Sequence, residues 1–335
     1  MGVHNQRTEY GKMLVELGTK NPDIVVLEAD LGKSTMSCMF EAAFPERYFE
    51  MGIAEQNMTS FAGGLALAGK VPFLNTFAVF ASGRAYDQLR QSIATAKLNV
   101  KVAGSSAGLS DFGDGATHQS IDDVAIMSAI PHMTVFTPCD GLEVRKAVET
   151  AAQLDGPCYI RLCRNDREDI FPAGAQYRVG EPVVLQEGGD VAVFTHGIMA
   201  HEALKAAGMA EKDGIRAQVI HIPTVKPLNE EAVRAFAAGK KGVVVCEECS
   251  IRGGLNMLVS YALRGTGIPM ESVAVMDVFG QSASSQEELL EYYELDAKSI
   301  YKKIRSTLGM MEKLQDEGIG KWDREMGLQR IAPLL

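Results

Sequence analysis

The stretch Glu50-Met-Gly-Ile-Ala-Glu-Gln-Asn-Met58 sets the acid Glu55 among small and apolar neighbours at the point where a helix should begin. The helix that follows, through Phe61-Ala-Gly-Gly-Leu-Ala-Leu-Ala-Gly69, is too apolar to solvate a charge. The expectation is a desolvated carboxyl group held either for proton chemistry or for pairing. Taken alone, Glu55 reads more readily as an ordinary first-turn acid favoured by the helix dipole, and the motifs around it reverse that. Outward from it, short β-branched or apolar runs at 24–28, 71–75, 100–104, 134–137 and 158–162 alternate with helical patterns beginning near Asn5, Ala54, Ser82, Ile121 and Gly141. That alternation predicts an α/β domain on a mainly parallel sheet.

At 335 residues the chain exceeds the size at which one core usually stops growing, which favours two domains. From Asp166 to about Gly189 the sequence turns polar and irregular, with Pro172, Gly174, Gly180 and Pro182, as linkers do. The reading is a first domain at 1–168, a linker at 169–188, a second α/β domain at 189–308 and an extension at 309–335 carrying the single tryptophan, Trp322. Strands are expected at 191–195, 217–222, 242–246 and 273–276, with helices near 200–212, 230–238, 253–263 and 286–291.

A formal charge of −10 argues against nucleic acid and anionic membrane as partners, so an anionic substrate must be met by local arginines. No run of about twenty apolar residues is present, and the polar start lacks the apolar stretch of a secretory signal, which points to the cytoplasm. The six cysteines, at 38, 139, 158, 163, 246 and 249, are scattered, as suits reduced thiols. Cys246-Glu-Glu-Cys249 has redox or zinc-pair spacing, but no second pair accompanies it, and chance spacing is the stronger reading.

Four stretches form one site if the carboxyl ends of the strands converge. They are Glu28–Ser34, the Glu55 segment, Asn75-Thr-Phe-Ala-Val-Phe-Ala-Ser-Gly-Arg84 and Gly108–Ser120. Phe77 and Phe80 offer flat apolar surface to a heterocycle, while Asp114 and His118 sit in a glycine-punctuated loop that can reach a small substrate. Singly, both phenylalanines read as core and His118 as a helix-start or core histidine.

Met51-Gly-Ile-Ala-Glu-Gln-Asn-Met58, Pro72-Phe-Leu-Asn-Thr-Phe77, Asp114-Gly-Ala-Thr-His-Gln119 and Pro138-Cys-Asp140 resemble the pyrimidine-binding domain of the transketolase family of thiamine diphosphate enzymes. Thr224-Val-Lys-Pro-Leu228 and Cys246-Glu-Glu-Cys-Ser-Ile-Arg-Gly-Gly-Leu255 resemble the family's C-terminal domain, so the likeness covers nearly all of residues 5–305. By that resemblance Glu55 bonds a pyrimidine ring nitrogen, Phe80 and Phe77 border the ring, and His118 and Asp114 contact substrate hydroxyls. Arg7, Ser34 and Arg164 match positions that hold the distal phosphate or sulfonate of a sugar, with Arg161 or Lys33 as alternatives.

The family's diphosphate-binding domain has no counterpart. Gly113-Asp-Gly115 belongs to the substrate-loop motif, and residues 137–145 lack the asparagine that would help hold a metal. No metal ligand is assigned here. The chain therefore reads as the C-terminal subunit of a split transketolase. Thiamine diphosphate would be shared with a separate N-terminal, diphosphate-binding subunit that holds Mg²⁺, in an α2β2 heterotetramer. A histidine common in the family near 103–106 and a tyrosine near Gly83 are missing, which leaves the sugar open. Competing readings are a β-subunit of a 2-oxo acid dehydrogenase, a deoxyxylulose-phosphate synthase-like enzyme, or a non-catalytic assembly subunit.

Overall fold

The strand Ile24–Glu28 is buried along its whole length, and its alternate residues enter two different cores. Ile24 and Val26 pack with Tyr10, Leu14 and Val144, whereas Val25 and Leu27 pack with Met58, Leu74 and Ile93. A strand covered on both faces belongs in a parallel sheet flanked by helices. The helices Gln6–Lys20 and Gly141–Gln153 supply one layer and Glu55–Leu67 the other. This computed structural model describes residues 2–172, 174 and 176–310; Trp322 and the rest of the extension from 311 onward lie outside them.

The first sheet has seven strands in the spatial order Thr224–Lys226, Thr134–Phe136, Cys158–Arg161, Lys101–Ser105, Val71–Phe77, Ile24–Glu28, Tyr48–Glu50. All pairings are parallel except that of Thr224–Lys226. The second sheet runs Met270–Val275, Gly242–Ser250, Val191–Thr195, Ala217–His221, Val183–Gln186, with only the last antiparallel.

Three segments depart from the sequence reading. Val183–Gln186, inside the stretch read as linker, is an edge strand; glycines and prolines on either side concealed a four-residue run that is only half-buried. Thr224–Lys226 leaves the second half of the chain to close the edge of the first sheet. The expected helix near Ser82 is instead a pair of π-helical turns, Phe80–Arg84 and Leu89–Ala94, on either side of Tyr86–Gln88. Such turns recur at functional sites.

The two halves share one core, continuous from Leu74 through Tyr159 to Phe194 and Val245. At its polar centre the Arg161 Nε bonds Asp123 at 3.0 Å and Nη1 bonds Glu248 at 2.9 Å, with the three side chains 4%, 0% and 1% exposed. The Tyr159 hydroxyl also donates to Asp123, and Gln286 donates to Glu248. Arg161 thus joins the halves through Nε and Nη1, while its Nη2 is buried without a partner. Cys246 and Cys249, three apart on one strand, fall in different core clusters and are not a redox pair; all six thiols are free. Among the described residues no helix is long and apolar enough to cross a membrane.

Candidate functional site

The register sets Glu28 beside Asn75, Phe77 beside Ser105 and Gly104 beside Arg161, so these strands end along one edge of the sheet. Ser34, Glu55, Phe80, His118 and Arg164 all follow the carboxyl ends of strands at this edge, where open α/β sheets place ligands.

Glu55 opens the helix Glu55–Leu67 and is 1% exposed. Its burial agrees with expectation, and of the two uses expected for it the fold shows pairing. Arg84 Nη1 donates to both carboxylate oxygens, at 2.8 and 3.0 Å. The same guanidinium lies 4.5 Å over the Phe80 ring. Phe80 and Phe77 are stacked, 6.1 Å apart and 14° from parallel, and His118 meets both rings edge-on at 5.4 and 6.1 Å. The imidazole Nδ1 is 2.9 Å from Thr117 Oγ1. The fold therefore gathers Glu55, Phe77, Phe80 and His118, and adds Arg84, to which sequence reasoning gave no role. The available signal was its position four residues after Phe80 on one helical face.

A second group lies at the start of the first helix. Asn5 caps Gln6–Lys20 by accepting from the Arg7 and Thr8 amides, which fixes Arg7 in the first turn. Arg7 Nη1 donates to the Ser34 carbonyl at 2.7 Å, so Ser34 meets Arg7 through its backbone. Burial, and then the neighbouring Arg164 cation, hold the Arg7 pKa below the usual guanidinium range. Its Nε is buried without a partner. Arg164 donates to Asp111 at 2.8 Å. Two crowded cations with an unused donor suit an incoming anion. Lys33 is exposed nearby and joins none of these bonds.

Asp114 is exposed on the loop that carries His118. The second half of the chain pins that loop: Gln119 Nε2 donates to the Asp111 and Gln281 carbonyls, and the Ala283 amide donates to the Phe112 carbonyl. Gly115 is required there, since it has φ +76° and a Cβ would lie 2.5 Å from Ser282 Oγ.

Behind Ser34, Glu28 is fully buried and accepts from the Thr35 and Ser37 hydroxyls and the Ala29 amide. Desolvation outweighs these donors and pushes its pKa up to about 7. Sequence reasoning gave this acid no role of its own.

Among the described residues, two clusters hold three potential metal ligands each: Cys139, Glu143 and His221, and His196, Glu247 and Cys249. Both are wholly buried and neither includes Asp114. Glu143 already accepts from the Cys139 amide and contacts His221, while Glu247 accepts the Leu255 and Asn256 amides at the start of the helix Leu255–Ala262. These contacts account for both acids as parts of the packed interior.

Fold and site together define a two-unit α/β protein whose sheet edge presents a buried acid beside stacked aromatic rings, suited to a flat nitrogen heterocycle. Residues 4–168 match the transketolase pyrimidine-binding domain, and residues 180–300 match the transketolase C-terminal domain. A Methanocaldococcus jannaschii protein provisionally named as a transketolase C-terminal section is 40% identical over 321 residues, covering 94% of this chain and 98% of that protein. A 6-deoxy-6-sulfo-D-fructose transketolase subunit, SqwH, of Clostridium sp. strain MSTE9 is 40% identical over 298 residues, covering 89% of this chain and 92% of that one. A solved structure titled as a split gene transketolase, inactive beta4 tetramer, superimposes with TM-score 0.82 at 42% identity, covering 92% of this chain and 99% of that chain. This chain belongs to the transketolase family and comprises its pyrimidine-binding and C-terminal domains.

Proposed function

We propose that this chain is the C-terminal subunit of a split, thiamine diphosphate-dependent transketolase. It would act only with a separate N-terminal subunit that binds the diphosphate and Mg²⁺, as an α2β2 assembly. The observation that carries the proposal is the buried Glu55 carboxylate, linked through Arg84 to the Phe77–Phe80 stack, in a domain that matches the family's pyrimidine-binding unit. The split arrangement is supported by the M. jannaschii section and the split-gene structure, both covered almost end to end.

When bound, thiamine diphosphate supplies the nucleophilic carbon that carries a two-carbon ketol unit from a ketose to an aldose. Glu55 would hold or move a proton at a pyrimidine ring nitrogen, and its burial keeps water from competing. Phe80 and Phe77 would orient the ring by stacking. His118 and Asp114 would take substrate hydroxyls, and Arg7, Ser34 and Arg164 would position the distal anion. The sulfofructose transketolase subunit among the relatives makes a sulfonate as reasonable a distal group as a phosphate.

The test is reconstitution. The purified chain should show no turnover with thiamine diphosphate and Mg²⁺ until a diphosphate-binding chain is added. The pair should then use anionic ketoses in preference to 2-oxo acids. Turnover by the lone chain would refute the shared site, and preference for a 2-oxo acid would reassign the reaction.

A further inference from the structure

We propose that Arg84 is a resident occupant of the pyrimidine slot, which must swing out before that half of the coenzyme docks, provided Glu55 and Phe80 are the pyrimidine contacts. A guanidinium is a flat cation with N–H donors in its plane. An aminopyrimidine protonated on the ring has the same character. Both stack on an aromatic face and donate in-plane to a carboxylate. Arg84 makes these two contacts at once: its Cζ lies 4.5 Å from the Phe80 centroid, and Nη1 bridges both Glu55 oxygens at 2.8 and 3.0 Å. One ring face and the acid are therefore engaged from within the chain.

The occupant is free to leave. Glu55 is 1% exposed, but the Arg84 side chain is 46% exposed, so the arginine is the partner with solvent to swing into. Its backbone closes the π-helical turn Phe80–Arg84, and the space beside the preceding Gly83 Cα is open to 4 Å. Release of Arg84 then costs a fixed free energy that lowers the apparent affinity for the pyrimidine. In return, a buried carboxylate is never left without a partner while the chain is alone.

Two measurements test this. In the lone chain without cofactor, a double-mutant cycle in urea unfolding with Glu55→Gln and Arg84→Met should show losses that are not additive. In the complex reconstituted with the diphosphate-binding chain, Arg84→Met should bind thiamine diphosphate about three- to tenfold more tightly than the parent. Arg84→Lys, which keeps the charge but not the plane, should fall between them. Additive losses in the lone chain, or equal or weaker cofactor binding by Arg84→Met, would overturn the proposal. Unchanged affinity and turnover in Glu55→Gln would instead remove the pyrimidine assignment, and this role of Arg84 with it. The lone-chain coupling, read without cofactor, tells the two failures apart.

Discussion

Replacing Glu28 with glutamine should remove a pH dependence of stability that this chain otherwise carries. The carboxyl group is fully buried behind the loop bearing Ser34, with Thr35 at 2.7 Å and Ser37 at 2.5 Å on one oxygen and the Ala29 amide at 3.0 Å on the other. Burial raises its pKa from 4.5 to about 7. A folded-state value above the unfolded one means that the folded protein retains a proton which the unfolded chain has already released in that window. The contribution to stability is therefore complete below about pH 4.5, falls as pH rises, and is lost above about pH 7. At about 1.4 kcal/mol per pH decade, the whole window amounts to about 3 kcal/mol. Urea unfolding followed by circular dichroism at about pH 5 and about pH 8 reads it directly. The parent should lose about 2.5 kcal/mol more than Glu28→Gln between the two conditions, because part of the window lies below about pH 5 and all other titrating groups are common to both. At the higher pH the glutamine variant should match or exceed the parent, since it buries no charge. Equal pH dependence in the two proteins would show that Glu28 ionises in the fold as easily as in water, and would refute the reasoning.

Further outcomes follow from the same geometry. Glu55→Gln in the reconstituted enzyme should lower turnover at least about a hundredfold with its circular dichroism spectrum unchanged, and near-parental turnover would count against proton handling by Glu55. Arg161→Met leaves Asp123 and Glu248 buried without their cation and should cost about 3–5 kcal/mol in chemical unfolding; a loss below about 1 kcal/mol would show that the clamp is dispensable. Arg7→Ala should raise KM for an anionic ketose about ten- to a hundredfold with kcat little changed and an uncharged ketose unaffected. Equal effects on both sugars would remove Arg7 from the anion site.

Much of the architecture was legible in the residues because strand and helix periodicity are local properties. The buried run Ile24–Glu28, the apolar helix from Glu55 and the β-branched segment beginning at Val191 each fix their own conformation. Motif order then placed Glu55, Phe77, Phe80 and His118 on loops leaving one sheet edge, and the fold brings them into one cluster. Val183–Gln186 was missed because an edge strand of four half-buried residues carries little apolar pattern, and Thr224–Lys226 because its partner strand lies about ninety residues earlier.

Charge pairing was beyond the reach of the sequence. Arg161 and Arg164 stand three residues apart, yet one is buried between two acids of different halves and the other reaches Asp111 at the sheet edge. Likewise the spacing of Phe80 and Arg84 allows those two to meet, but nothing in the local pattern announces that Arg84 also binds Glu55. Periodicity acts between residues a few positions apart and is set by backbone geometry. Which cation meets which carboxylate depends on strand order, register and the depth of each side chain, and these exist only once the sheets have assembled.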